Sequence, residues 1–324
     1  MKGRPSLFWA LCACVALLSS AAPAAAASRR MPSANTGGKL FLRGVGVVPR
    51  PRPGEYIRFN RSAAVTLQVA VSDYRDGIIF IYAQYTHVLT GEYGYVYNSQ
   101  MPLRSDGAGN LYVLAGDHVD VLVLAPNSGV VRLSDPRQHV EDLAVDSDGT
   151  TYLVDGRAEI LVYAKGQSHP SRFISDATLQ AARSIAVAAN HDVYVLYADA
   201  MNNGVVGRLP GGKGPIVDLR LAGSGTFTQI KVARGYVIAM DSASLGAVEV
   251  FAPHATQPSH VYPLGALGAP IDFDYAYDLK SFFVADGTGR ADQFAYPSGA
   301  LLGNVLCGEN GFCGGVTTLP NPPM

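Results

Sequence analysis

The chain has 324 residues, 48% hydrophobic and 16% charged, with a formal net charge of −1. It is too apolar for an intrinsically disordered chain, and it is long enough to bury one large core or two ordinary ones. Residues 28–54 carry Arg29, Arg30, Lys39, Arg43, Arg50 and Arg52 and no acid, whereas residues 55–324 hold 17 basic against 26 acidic residues. A mildly acidic body lacks the clustered positive charge that nucleic acid demands, so no nucleic-acid partner is expected.

Residues 1–27 read as a signal peptide. Lys2 and Arg4 form a basic start, 6–18 is an apolar run, and Ala25-Ala26-Ala27 supplies small residues before Ser28. The run is shorter than the ~20 residues of a membrane span, so no transmembrane span is expected after its removal. The expected location is secreted, periplasmic or at the cell surface. Leu11-Cys12-Ala13-Cys14 faintly resembles a lipoprotein box, and lipidation at Cys14 is the minor alternative. Residues 28–56, with SRRMPSANTGG and VVPRPRPGEY, read as a flexible Pro/Arg-rich linker, functionally a basic tether or simply a solvated spacer.

From 57 to 318 the sequence repeats. LAVDSDGTTYLVD (143–155) is an apolar run, a tight acidic-Gly turn and a second apolar run ending in Asp. SDGAGNLYVLAGD (105–117), IAVAANHDVYVLYAD (185–199), IKVARGYVIAMD (230–241) and FDYAYDLKSFFVAD (273–286) follow the same plan, and TLQVAVSD (66–73) supplies its second half. The terminal aspartates are Asp73, Asp117, Asp155, Asp199, Asp241 and Asp286. A third and a weaker fourth run follow each, so every unit of about 42 residues holds four short strands rich in Val, Ile, Tyr and Leu. Six such units predict an all-β fold, a six-bladed β-propeller of four-stranded blades. An open solenoid, or a seventh blade from weak end repeats, are the other architectures such a pattern allows. The first unit lacks an innermost strand, and FCGGVTTL (312–319) is the segment expected to return and supply it, closing the ring. With the leader gone, Cys307 and Cys313 remain and are expected to form one disulfide near that closure. The last residues, 319–324, are expected to be a disordered tail.

LAVDSDGTTYLVDGRAEILVYAKG (143–166), with DGAGNLYVL (106–114) and VEVFAP (248–253), resembles the repeats of NHL-type and SMP-30/gluconolactonase-like β-propellers. The chain departs from that pattern where Arg234-Gly235 replaces an acidic turn and where Gly207-Arg208 interrupts a third run. For an SMP-30-like hydrolase the resemblance implies a divalent cation on the central axis, held by Glu, Asn and Asp of different blades. Glu141, Asp142, Asp272 and Asp274 stand at the starts of innermost strands and could inherit that role, but no complete Glu/Asn/Asp trio stands out. NHL-like lyases imply zinc held by histidines, whereas the seven histidines here lie mostly in polar turns without ligand spacing. No cofactor is therefore expected, save a divalent cation under the hydrolase alternative.

Two further groups carry chemistry. The six aspartates fall at the turn between second and third strands, where Asp commonly holds backbone N–H groups; a ring of cation-binding carboxylates is the functional alternative. Tyr93, Tyr95 and Tyr97 alternate, so an extended strand sets them on one face, either to stack on a sugar or a partner or to pack against the next blade. No Gly-x-Ser-x-Gly elbow occurs, and LPGGKG (209–214) lacks Walker spacing. The sequence thus reads as an exported binding or scaffolding module for a protein or glycan, more plausibly not an enzyme. Its candidate surface carries the between-blade loops 136–142, 176–183, 222–228 and 266–271. The alternative is the metal-dependent hydrolase. Oligomeric state is left open.

Overall fold

Each apolar run bounded by Gly, Asp or Pro becomes a strand, because alternate side chains then find two buried faces. The computed structural model describes residues 39–42, 46–49 and 67–319, the last span without 76, 94–101, 116–119, 125–129, 135–138, 200, 224–226, 242–245, 266, 277 and 309–310. A short hairpin comes first, β1 (Lys39–Leu42) paired with β2 (Gly46–Pro49). The hairpin lies within the segment 28–56 read above as a flexible linker, and its strands are two short runs rich in Val and Leu. The leader lies outside the described residues.

Six four-stranded antiparallel sheets follow. The first blade takes β3 (Gln68–Asp73), β4 (Ile78–Ala83) and β5 (Leu89–Tyr93). The second has β6 (Leu103–Ser105), β7 (Leu111–Ala115), β8 (Asp120–Leu124) and β9 (Val130–Ser134). The third has β10 (Asp142–Val145), β11 (Thr151–Val154), β12 (Glu159–Tyr163) and β13 (Arg172–Ser175). The fourth has β14 (Ala182–Val187), β15 (Val193–Ala198), β16 (Gly204–Leu209) and β17 (Val217–Asp218). The fifth has β18 (Phe227–Ala233), β19 (Tyr236–Asp241), β20 (Ala247–Phe251) and β21 (His260–Pro263). The sixth has β22 (Pro270–Tyr275), β23 (Ser281–Asp286), β24 (Arg290–Ala295) and β25 (Leu301–Leu306). The last strand, β26 (Cys313–Leu319), returns to pair with β3 and becomes the innermost strand of the first blade. The ring is a six-bladed propeller closed by both parts of the chain. Among the described residues no helix is long and apolar enough to cross a membrane.

The core is distributed rather than central. Six buried clusters are found among the described residues, one at each contact between neighbouring blades. Alternation builds them: Ala70, Ile79 and Ile81 face the second blade, while Val69, Val71 and Tyr82 face the sixth. Tight turns join inner to second strands. Asp146 Oδ1 accepts the backbone N–H groups of Asp148 (3.0 Å) and Thr150 (3.2 Å), and Gly149 takes the φ of 88° that closes the turn. Where Arg234-Gly235 replaces the acidic turn, both residues have positive φ (50° and 79°), as a two-residue hairpin requires. Gly207, which interrupts a third run, is needed because a Cβ there would sit 2.3 Å from Ile216 Cγ2.

Cys307 and Cys313 are disulfide-bonded, with Cα atoms 5.3 Å apart. The bond ties the end of β25 to the start of β26, so it joins the sixth blade to the first. A loop of this size contributes about 2 kcal/mol by restricting the unfolded chain. Cys307→Ser/Cys313→Ser is expected to lower the stability measured by urea unfolding by that amount, while leaving the fold intact. A loss several times larger would mean that the bond also organises the closure itself.

Candidate functional site

The innermost strands of all six blades line one cavity of about 50 Å³ on the ring axis. The register of each inner strand with its neighbour identifies one residue per blade at the same height. These are Arg104 (opposite Tyr112), Ala144 (Tyr152), Ala186 (Tyr194), Lys231 (Ile238), Asp274 (Phe283) and Thr317 (Ala70). All six line the cavity. Two residues earlier, on the same side of each strand, stand Asp142, Ser184, Gln229, Asp272 and Gly315. Gly315 lets strands meet closely, since a Cβ there would lie 2.9 Å from the Leu103 nitrogen and 3.3 Å from Asp272 Oδ2.

Arg104 organises this centre. Its Nη1 donates to both oxygens of Asp272 (3.1 and 2.9 Å) and to the Leu103 carbonyl (2.9 Å). Its Nη2 donates to Asp142 Oδ1 (2.9 Å) and Gln229 Oε1 (3.2 Å). Burial opposes the guanidinium charge, but Asp142, Asp272 and Asp274 more than offset it and raise its pKa. The carboxylates are equally well occupied. Asp142 also accepts from the backbone of Leu143 (2.7 Å) and Ile185 (3.1 Å) and from the Ser184 hydroxyl (2.6 Å). Asp272 accepts from the Phe273 and Val316 backbones (3.0 and 3.2 Å). Asp274 accepts from the Tyr275 and Thr318 backbones (3.0 and 2.9 Å) and from Thr317 Oγ1 (2.8 Å). Burial pushes Asp142 upward while Arg104, Lys231 and Ser184 pull it back. Four groups stand within hydrogen-bond distance of its two oxygens, Arg104 and Leu143 at Oδ1 and Ser184 and Ile185 at Oδ2.

Of the metal-ligand candidates, the fold therefore brings Asp142, Asp272 and Asp274 together and leaves Glu141 out. Glu141 Oε1 instead bonds His139 Nε2 at 2.7 Å, in a partly exposed position. Sequence reasoning missed Arg104, Lys231, Ser184 and Gln229. Their only signal was position, because aligned repeats place Arg104 and Lys231 at the step held by Ala144 and Ala186.

The repeated aspartates divide as follows. Asp73, Asp155 and Asp199 accept backbone N–H groups of their own turns: Arg75, Arg157 and Met201, at 2.8–2.9 Å. Asp286 accepts from Thr288 and also from Gly268 and Ala269 of the connection between the fifth and sixth blades. Asp241 is buried at the end of β19, and Asp117 lies outside the described residues. Tyr93 is 5% exposed and packs between the first and second blades with Ile79 and Leu111. For Tyr93 this burial fits packing against the next blade rather than stacking on a sugar or partner, because both faces of a blade are covered by its neighbours. Tyr95 and Tyr97 lie outside the described residues.

On the connecting-loop face, just before β26, Phe312 meets Tyr74 edge to face with ring centroids 5.9 Å apart. The Tyr74 N–H donates to the Phe312 carbonyl at 2.9 Å, and Phe312 keeps a third of its surface exposed (37%). On the opposite face, Asp146, Asp148 and His191 bring ligand atoms within 4.8 Å of one another. They already answer each other. Asp146 Oδ2 meets His191 Nδ1 at 2.9 Å, which raises the imidazole pKa, and Asp148 is held down at about 2, first by its bond with Asp146. The pair latches the third blade to the fourth.

No family model and no curated protein matches the chain. Solved structures do. A chain from the crystal structure of a nidogen/laminin complex aligns with a TM-score of 0.64 at 14% identity, covering 79% of this chain and 99% of that one. A functionally unknown protein from Desulfotomaculum acetoxidans DSM 771 gives 0.56 at 15% identity, with coverage of 79% and 99%. Kuenenia stuttgartiensis hydrazine synthase gives 0.50 at 14% identity over 67% of each chain. At these identities the likeness is one of fold.

Proposed function

We propose that the chain is an exported binding module that holds a protein partner on the face carrying the connections between blades. The supporting observation is the state of the axis. The hydrolase alternative needs carboxylate lone pairs free for a cation, whereas Asp142 and Asp272 already spend theirs on Arg104 and on fixed backbone N–H groups. The guanidinium stands where a cation would. A rigid ring with connections of differing sequence on one face suits display better than turnover. The exposed Phe312, braced by Tyr74, is the anchor in this reading, because aromatic side chains supply large contact area at small entropic cost. The nidogen neighbour, solved in a complex with laminin, gives a precedent for a protein complex on this fold. The reading of residues 1–27 as a signal peptide and the NHL-like reading of the repeats belong to the same proposal, which takes the protein as exported.

The test is retention of the processed protein on cell envelopes of its own host over a concentration series. Saturable retention is expected, reduced about tenfold or more by Tyr74→Ser/Phe312→Ser with little change in melting temperature. Unsaturable retention, or retention unchanged in the double variant, would overturn the anchor. Hydrolysis of a lactone that requires added calcium, magnesium, manganese or zinc would favour the hydrolase instead.

A further inference from the structure

The outer strand of a propeller blade has a free edge, and natural sheets guard such edges with short strands, charges or proline. Five of the six outer strands are guarded in this way: Glu92 stands in β5, Arg132 in β9, Arg172 in β13 and Asp218 in the two-residue β17, while β21 carries His260 and Pro263. The sixth, β25, is not. At six residues it is the longest of them, and residues 293–308 hold no charged side chain. Leu301, Leu302 and Leu306 are 59%, 52% and 57% exposed.

The edge itself is regular. One irregular step against β24 falls between Leu301 and Gly303, and from Gly303 to Leu306 the register is continuous. Cys307 donates its N–H inward, to the Gly289 carbonyl at 2.9 Å. Backbone groups alternate along a strand, so the N–H and C=O of Asn304 turn outward, away from β24. At the far end the Leu306 carbonyl already takes the Tyr82 hydroxyl (2.5 Å), which leaves Asn304 as the centre of the free edge. Side chains alternate as well. Val305 is buried against the first blade, whereas Asn304 and Leu306 share the opposite, exposed face, with Leu302 exposed beside them.

We propose that this edge pairs with the same strand of a second copy of the chain, antiparallel about a two-fold axis at Asn304. Self-complementarity selects this occupant. An axis that sets Asn304 opposite itself brings Leu302 of one copy beside Leu306 of the other, so apolar meets apolar and amide meets amide. Charge agrees, because two uncharged strands meet without like-charge repulsion, and a charged partner strand finds no counter-charge here. Area sets the strength. The leucines adjoin Val88, also exposed, through the His87 ring that lies over Gly303. Such a patch amounts to a few hundred Å², the small end of specific interfaces, so the dimer is micromolar rather than obligate. The edge lies on the rim of the ring, away from the face that presents Phe312, so the two proposals fail separately.

The experiment is sedimentation equilibrium of the processed protein over a concentration series spanning the micromolar range. A reversible monomer–dimer equilibrium is expected. Leu302→Lys/Leu306→Lys should weaken it about tenfold or more, with little change in melting temperature because both side chains are exposed. If that variant fails to fold, Asn304→Asp carries the comparison, since it sets like charges opposite each other across the axis. Asn304→Cys should form a disulfide-linked dimer on air oxidation, because residues opposite each other in a hydrogen-bonded pair have Cα atoms about 5.5 Å apart, within disulfide reach. Val88→Cys, off the axis, should not. A monomer at every concentration overturns the proposal, as does a dimer indifferent to these variants. Open-ended assembly overturns the two-fold pairing. Monomers that instead sediment with phosphatidylcholine vesicles would assign the leucines to a lipid surface and overturn it too.

Discussion

Removal of residues 305–324 is expected to abolish cooperative folding of the ring. Every residue of β26 is buried, and the strand pairs with β3 along its whole length. Val316 belongs to the contact between the first and sixth blades, and Leu319 to that between the first and second. Thr317 and Thr318 satisfy Asp274, and the Ser105 hydroxyl bonds the Thr318 carbonyl at 2.6 Å. Burial of one such apolar side chain is worth about 1.5–3 kcal/mol, and several are lost at once, together with a row of sheet hydrogen bonds. The total rivals the ~5–15 kcal/mol that holds a typical domain. Circular dichroism should show no sharp thermal transition in the truncated chain. A rearranged chain carrying 311–319 ahead of Leu67 should regain one, because the first blade needs the strand and not the chain end. A truncated chain that melts as the native protein does would refute the closure.

Arg104→Met is expected to cost about 3–5 kcal/mol, the usual penalty for leaving buried charges uncompensated. The side chain fits by volume, but Asp142 and Asp272 would lose the group between them. The deficit should depend on pH with a definite sign. Burial already pushes Asp142 up, and without Arg104 only the smaller pulls of Lys231 and Ser184 oppose it. Its folded pKa then stands above the unfolded value near 3.9. The folded form holds the extra proton in that window, so the variant gains stability as pH falls through its raised pKa and loses it as pH rises. Urea unfolding between pH 7 and pH 5 would show the gap to the native protein narrowing. Arg104→Met/Asp142→Asn/Asp272→Asn should recover much of the loss at pH 7. A small, pH-independent effect of Arg104→Met alone would mean the pairs contribute little.

Much of the fold was legible because its cause is local and repeated. The alternation in IIFIYA and EILVY sets two faces, Asp and Gly close the turns, and recurrence at about 42 residues fixes the blade. Even the missing strand was visible, since an incomplete first unit and a spare apolar run at the other end need each other. The cysteine pair next to that run completed the picture. The hairpin at 39–49 was not legible, because its prolines and arginines mask two short apolar runs.

The site was legible only in part. Asp142, Asp272 and Asp274 could be placed near the axis by their position in the repeat, but not their partner. Arg104 lies 38 residues from Asp142 and 168 from Asp272 in sequence. In PLRSDG it looks like any exposed arginine before a turn. For Tyr93 alternation left two readings open, and because a propeller covers both faces of a blade this residue is buried. The sequence by itself determined the period, the strands and the closing segment, because these follow from backbone geometry and the need to bury alternate side chains. Only the tertiary structure decided that a buried guanidinium sits among the axial carboxylates with a lysine opposite. Six strands from distant parts of the chain meet at the axis, and what faces across it is set by ring geometry rather than by any neighbour in sequence.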